Sequence, residues 1–129
     1  MTHPVDQLLA AIEAGTAPPA GVFADDAVLD ATVPNWRFSV RGEEAVRGQL
    51  GGWYRDPAQF DELRRRPLPD GELVEFELTW EENGVPHACH QVHVLQVTVG
   101  RIVTDTVFCG GRWPASLLAE MAEAEHACA

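Results

Sequence analysis

Near the end of the chain, His93 and Asp105 have the residue types and spacing of a proton-transfer pair. His93 lies seven residues before Gly100 and Asp105 five residues after it. A tight Val99-Gly100 hairpin would set the two roughly opposite each other. There the carboxylate would fix the imidazole tautomer and make the pair a proton shuttle near neutral pH. A satisfied buried His–Asp hydrogen bond with no chemistry fits the same pattern. Side chains alternate along extended backbone, so His87, Cys89, Gln91, His93, Leu95 and Val97 share one face, and Ala88, His90, Val92, Val94 and Gln96 the other. Asp105 is the one charged residue on the apolar face Val103, Asp105, Val107 and Cys109. It needs a partner there, because loss of water disfavours a bare carboxylate.

Two other chemistries fit less well. His87, His90 and His93 are spaced for a metal site on a helix, but on a strand His90 points away and the outer two stand about 20 Å apart. No metal is expected. Cys89, Cys109 and Cys128 are odd in number and lack CxxC spacing, which argues against a disulfide framework or a zinc ribbon. They read as buried or terminal thiols; Cys89, flanked on its face by His87 and Gln91, also fits a reactive thiol.

The elements that must position these groups change character midway. Thr2 as cap, Pro4 in the first turn and Leu8, Leu9 and Ile12 at helical spacing predict a helix ending near Gly15. After the Pro18-Pro19 loop a short helix is expected around Val22-Phe23, then a strand over Val28–Val33 ending at Pro34-Asn35. A further helix opens at Gly42-Glu43-Glu44, with Val46, Leu50 and Trp53 on its apolar side, and stops at Asp56-Pro57. From Phe60 onward the period is two. Strands are expected over Phe60–Leu68, Leu73–Glu82, Val85–Thr98 and Arg101–Cys109, with Asn83-Gly84 a strong hairpin signal. Pro114 starts a last helix with Leu117, Leu118 and Met121 on its apolar side. Helices followed by consecutive hairpins predict one α+β domain over residues 1–129, a curved antiparallel sheet wrapped by helices into a cone with an internal pocket.

Composition narrows the partners. With 129 residues, 46% of them hydrophobic, the chain suits one core. No apolar run approaches the roughly 18 residues of a membrane span, and Met1–Asp6 lacks the features of a signal peptide, so a cytoplasmic protein is expected. The net charge is −11 and there is no Lys, which disfavours nucleic acid and anionic membranes.

Phe23-Ala24-Asp25-Asp26-Ala27-Val28, Val40–Arg47, and Val92–Val97 followed by Gly100-Arg101-Ile102-Val103 resemble, in order and spacing, segments of the nuclear-transport-factor-2-like/SnoaL-like superfamily. That superfamily holds ketosteroid isomerases, polyketide cyclases, epoxide hydrolases, dehydratases and non-enzymatic binders. The resemblance implies that His93 stands where isomerases carry an oxyanion-stabilising residue and that Val103, Asp105, Val107 and Cys109 face the cavity. Ile102, Thr104, Thr106 and Phe108 would then face outward. It puts Asp30 near the isomerases' general base, although Asp30 also fits a turn-capping residue. The first helix lacks the phenol that those enzymes use, and the chain's one tyrosine, Tyr54, lies outside it.

The expected catalytic residues are therefore His93, Asp105 and Asp30. Trp36, Trp53, Cys89, Gln91, Val107 and Cys109 are the expected ligand contacts, the tryptophans serving as core or as wall for a flat apolar ligand. The function is handling of a small hydrophobic molecule, by isomerase, cyclase or dehydratase-type acid–base chemistry, with no cofactor. A non-catalytic carrier or sensor fits the same fold, as does a dimeric interaction module using Val92, Val94, Ile102 and Phe108 on the outer sheet face.

Overall fold

Alternation of small and branched apolar residues with charged ones produces a long-stranded sheet, and two helices close over the apolar side of it. The computed structural model describes residues 3–128. Its elements are α1 (Pro4–Ala14), β1 (Phe23–Val33), β2 (Trp36–Arg41), α2 (Glu43–Trp53), β3 (Ala58–Leu68), β4 (Gly71–Glu82), β5 (Val85–Thr98), β6 (Arg101–Cys109), β7 (Trp113–Pro114) and α3 (Ala115–Cys128). The fold is α+β, a curved and unclosed sheet with three helices. Strand order is β2-β1-β6-β5-β4-β3, and β7 continues along β5 where β6 has ended. Only β1 and β6 run parallel; every other pair is antiparallel.

Each turn has its chemistry. Asn83 (φ 51°) and Gly84 (φ 78°) adopt the left-handed pair that a two-residue hairpin requires. Val99 (φ 52°) and Gly100 (φ 75°) do the same between β5 and β6, where a valine pays a steric cost that glycine avoids. Gly71 is needed for space: a Cβ there would lie 1.8 Å from the Leu95 carbonyl oxygen.

The inner face of β4, Val74, Phe76, Leu78 and Trp80, is buried against Leu8 and Ile12 of α1, Val46 and Leu50 of α2, and Leu29 and Ala31 of β1. Burying side chains of this size is worth about 1.5–3 kcal/mol each before entropy is charged against it. Arg65 of β3 ties α1 to the sheet by pairing with both Asp6, at 2.6 Å, and Glu72.

Several expectations need correcting. There is no helix at Val22-Phe23: Phe23 opens β1 and pairs with Ile102 of β6. An unexpected strand, β2, folds back on β1 through Asn35 (φ 63°). Thr2, the expected cap of α1, lies outside the described residues, and His3 accepts the Val5 N–H instead. A bulge in β6 sets Ile102 and Thr104 against consecutive residues of β5, and this reverses the phase. Ile102 consequently points inward and is fully buried, so it cannot belong to an outer contact face. The apolar side expected for α3 is largely uncovered, with Leu117 and Met121 exposed.

Candidate functional site

A chain of four buried polar side chains runs from the core to a cavity. Asp105 and His93 are not direct cross-strand partners; Leu95 faces Asp105 and His93 faces Val107 in the ladder. The diagonal offset still brings His93 Nδ1 to 2.9 Å and 3.0 Å from the two Asp105 oxygens. Both residues are at most 1% exposed. Phe76 stacks on the imidazole at 5.5 Å between centroids, which fixes the ring plane. On the far side His93 Nε2 lies 3.0 Å from the Tyr54 hydroxyl. Tyr54 also bonds Gln91 Oε1, and Gln91 Nε2 donates to Cys109 Sγ at 3.1 Å. No buried side-chain nitrogen or oxygen among the described residues lacks a partner.

Tyr54 joins this chain to the cavity, and the sequence alone did not single it out. It comes from the C-cap of α2, where its N–H bonds the Leu50 carbonyl, and it is 5% exposed. The signal was present: Val46, Leu50 and Tyr54 fall at i, i+4 and i+8, one stripe of a helix. The phenol is absent from α1 and arrives instead from the end of α2. Burial, with the nearby Cys89 thiol and Asp105 carboxylate adding to it, pushes the phenol's pKa well above its ordinary value of 10.0. It therefore stays a proton donor.

One proton serves two neighbours at the phenol. Given to Gln91, it leaves the phenol oxygen to accept from His93 Nε2–H, so the imidazole holds two protons and is balanced by Asp105. Given to His93, it leaves a neutral imidazole whose Nδ1–H points at Asp105. The two arrangements differ by one proton in total: passing from the first to the second would require Tyr54 to release its proton outward and take the Nε2 proton of His93 from behind.

Outward means a cavity of about 300 Å³, lined in part by Tyr54, Gln91, Cys89 and Cys109. Trp53, Trp80, Leu78 and Val33 supply apolar wall. Cys89 is buried, and loss of water, with Cys109 next, pushes its thiol up to about 12. A thiol so protonated is a poor nucleophile. At the rim Arg112 lies 4.9 Å over the Trp80 ring, donates to the Trp53 carbonyl at 3.0 Å and pairs with Glu82. The Trp80 N–H and Arg112 hold the Glu82 carboxyl below its usual range.

The expected residues divide accordingly. Trp53, Cys89, Gln91 and Cys109 line the cavity, whereas His93, Asp105 and Val107 lie buried outside its lining. Asp30 is elsewhere: it points away from the core residues Leu29 and Ala31 and pairs with Arg37 at 2.8 Å, which lowers its pKa. It is thus a surface ion-pair residue: its neighbour Leu29 pairs with Asp105 in the ladder, and the Asp30 side chain points to the opposite sheet face from the proton chain. Trp36 is 68% exposed on β2 and forms no wall. His87 and His90 do not join His93. His87 stacks on Trp80, and His90 bonds Glu75 at 2.7 Å. Among the described residues, Glu62, Glu77 and His90 bring possible metal-ligand atoms within 4.8 Å of one another. They share the outer sheet face, and none of them lines the cavity.

No protein-family model and no curated protein sequence matches the chain. Solved structures do. A nuclear-transport-factor-2-like protein of unknown function from Mesorhizobium loti is 19% identical, with TM-score 0.66 over 84% of this chain and 88% of that one. A candidate isomerase from Bacillus subtilis is 15% identical, with TM-score 0.67 over 83% of this chain and 84% of the other. An epoxide hydrolase/cyclase-like enzyme with a role in pyran ring formation in the polyether salinomycin is 16% identical, with TM-score 0.62 over 83% and 88%. At such identities the likeness is one of fold.

Proposed function

We propose, from the premise that the chain has the nuclear-transport-factor-2-like/SnoaL-like fold, that its cavity takes a small, largely apolar carbonyl compound and that Tyr54 lends or gives that carbonyl a proton. The observation that carries this reading is the Asp105–His93–Tyr54 chain, sealed from water at one end and opening on the cavity at the other. A phenol that resists ionisation suits hydrogen bonding to a developing enolate, and His93 behind it suits reprotonation. Asp56 is the one carboxyl residue among those lining the cavity, and it takes the part of base at carbon. Keto–enol isomerisation, aldol-type cyclisation and dehydration of a β-hydroxy-ketone use this division of labour, and the fold's neighbours include a candidate isomerase and a cyclase-like enzyme.

The test is hydrogen exchange at carbon. The protein is incubated with 1-indanone in D₂O and loss of the α-proton signal is followed by NMR. Exchange above background, reduced about 10²- to 10⁴-fold in Tyr54→Phe, supports catalysis. Binding of the ketone with exchange only at the background rate sinks the catalytic reading and leaves a carrier, which the apolar wall favours. The exposed outer face, with Phe108 half exposed, is proposed to pair two copies of the chain; sedimentation showing only monomer would contradict that.

A further inference from the structure

We infer that Gln91 selects the ligand: its amide oxygen occupies the place at Tyr54 that a ligand carbonyl takes, so the preferred ligand carries a hydroxyl as well as a carbonyl. This rests on the proposed reading of Tyr54 as the group that meets the carbonyl. The phenol has a single proton and gives it to Gln91 Oε1. Its other neighbour, His93, completes its polar contacts at 3.0 Å. A carbonyl ligand can reach that proton only by displacing Oε1.

The consequence falls on Gln91. The residue is 5% exposed on β5, in the middle of the sheet, so its freed oxygen does not reach bulk water. Its amide nitrogen is already committed to Cys109 Sγ at 3.1 Å. The Cys109 thiol that accepts this bond is itself only a weak donor. A ligand that offers only an acceptor therefore leaves a buried amide oxygen unpaired, whereas a hydroxyl beside the carbonyl pays that oxygen back. The lost pairing corresponds to about a 10- to 100-fold preference for a hydroxy-ketone over the plain ketone.

The experiment compares 1-indanone with 3-hydroxy-1-indanone, whose ring keeps the hydroxyl from folding onto its own carbonyl, by calorimetric titration of wild type and Gln91→Met. Wild type is expected to prefer the hydroxy-ketone by tenfold or more, and Gln91→Met, which fills the same space without polar atoms, to lose that preference. Equal binding of the two ketones by wild type, or a preference that survives in folded Gln91→Met, overturns the inference while the reading of Tyr54 stands. Should Gln91→Met fail to fold by circular dichroism, Gln91→Glu replaces it. Its stronger acceptor is expected to raise the preference, and an unchanged ratio overturns the inference. Failure of both ketones to bind wild type removes the proposed function and the inference together.

Discussion

Replacing His93 by Leu should cost far more than an ordinary core substitution, because it strands a carboxylate. Asp105 has no exposed surface, and His93 Nδ1 contacts both of its oxygens. Breaking a buried charged pair by removing one partner typically costs about 3–5 kcal/mol. Domains of this kind hold only about 5–15 kcal/mol in total. At roughly 3–5 °C per kcal/mol for a chain of this length, the melting temperature should fall by roughly 10–20 °C. Asp105→Leu leaves an unpaired imidazole N–H and should cost less, about 1–3 kcal/mol. The double variant His93→Leu/Asp105→Leu buries no orphan at this end of the chain, so its loss should be smaller than the two single losses combined. Urea unfolding followed by far-ultraviolet circular dichroism at pH 7 measures all four proteins. If His93→Leu costs under about 1 kcal/mol, or if the double variant equals the sum of the singles, the pair is not the coupled buried unit described here.

Tyr54 is the chain's one tyrosine, so the rise in absorbance near 295 nm that accompanies phenol ionisation, above the band of the four tryptophans, reports it. Because folding raises its pKa, its contribution to stability is whole below about pH 10 and is lost as pH climbs from there toward the folded value. Tyrosinate should therefore appear with unfolding and not before it. Cys89 acts in the same direction from about pH 9 upward, toward its folded value of about 12. Its thiol should resist Ellman's reagent in the native protein and react on denaturation; rapid native labelling at Cys89 would contradict its burial. Gly71→Ala should destabilise by several kcal/mol, since the Leu95 carbonyl must move to admit the methyl group; an unchanged urea midpoint would refute the close approach. Asp30→Asn should leave ketone binding unchanged, and a lost signal in calorimetry would return Asp30 to the site.

What the sequence made legible follows from how local the signal is. The period-two stretches that became β5 and β6 depend on near neighbours and on the Val99-Gly100 turn, and their observed bounds match the expected ones. Phe23 was misread because its strand state comes from pairing with Ile102, far along the chain. The inward turn of Ile102 depends on a bulge that leaves no mark in the alternation of residue types. β2 is a short edge strand whose side chains are mostly exposed, so little burial patterning separates it from a loop. At the site, β5 displayed Cys89, Gln91 and His93 on one face, but the closing phenol came from a helix cap, where the apolar stripe had to be continued one turn beyond Leu50. Asp30 was placed by resemblance, and its strand phase, outward beside Leu29 and Ala31, decides otherwise.

The hydrogen bond from Tyr54 to a ligand carbonyl is the step on which the account depends. 1-Indanone labelled with carbon-13 at the carbonyl reports it directly by NMR. The bound resonance should move downfield of its position in an apolar solvent in wild type, and lose that displacement in Tyr54→Phe. A bound carbonyl with the same shift in both proteins would show that the phenol never meets it.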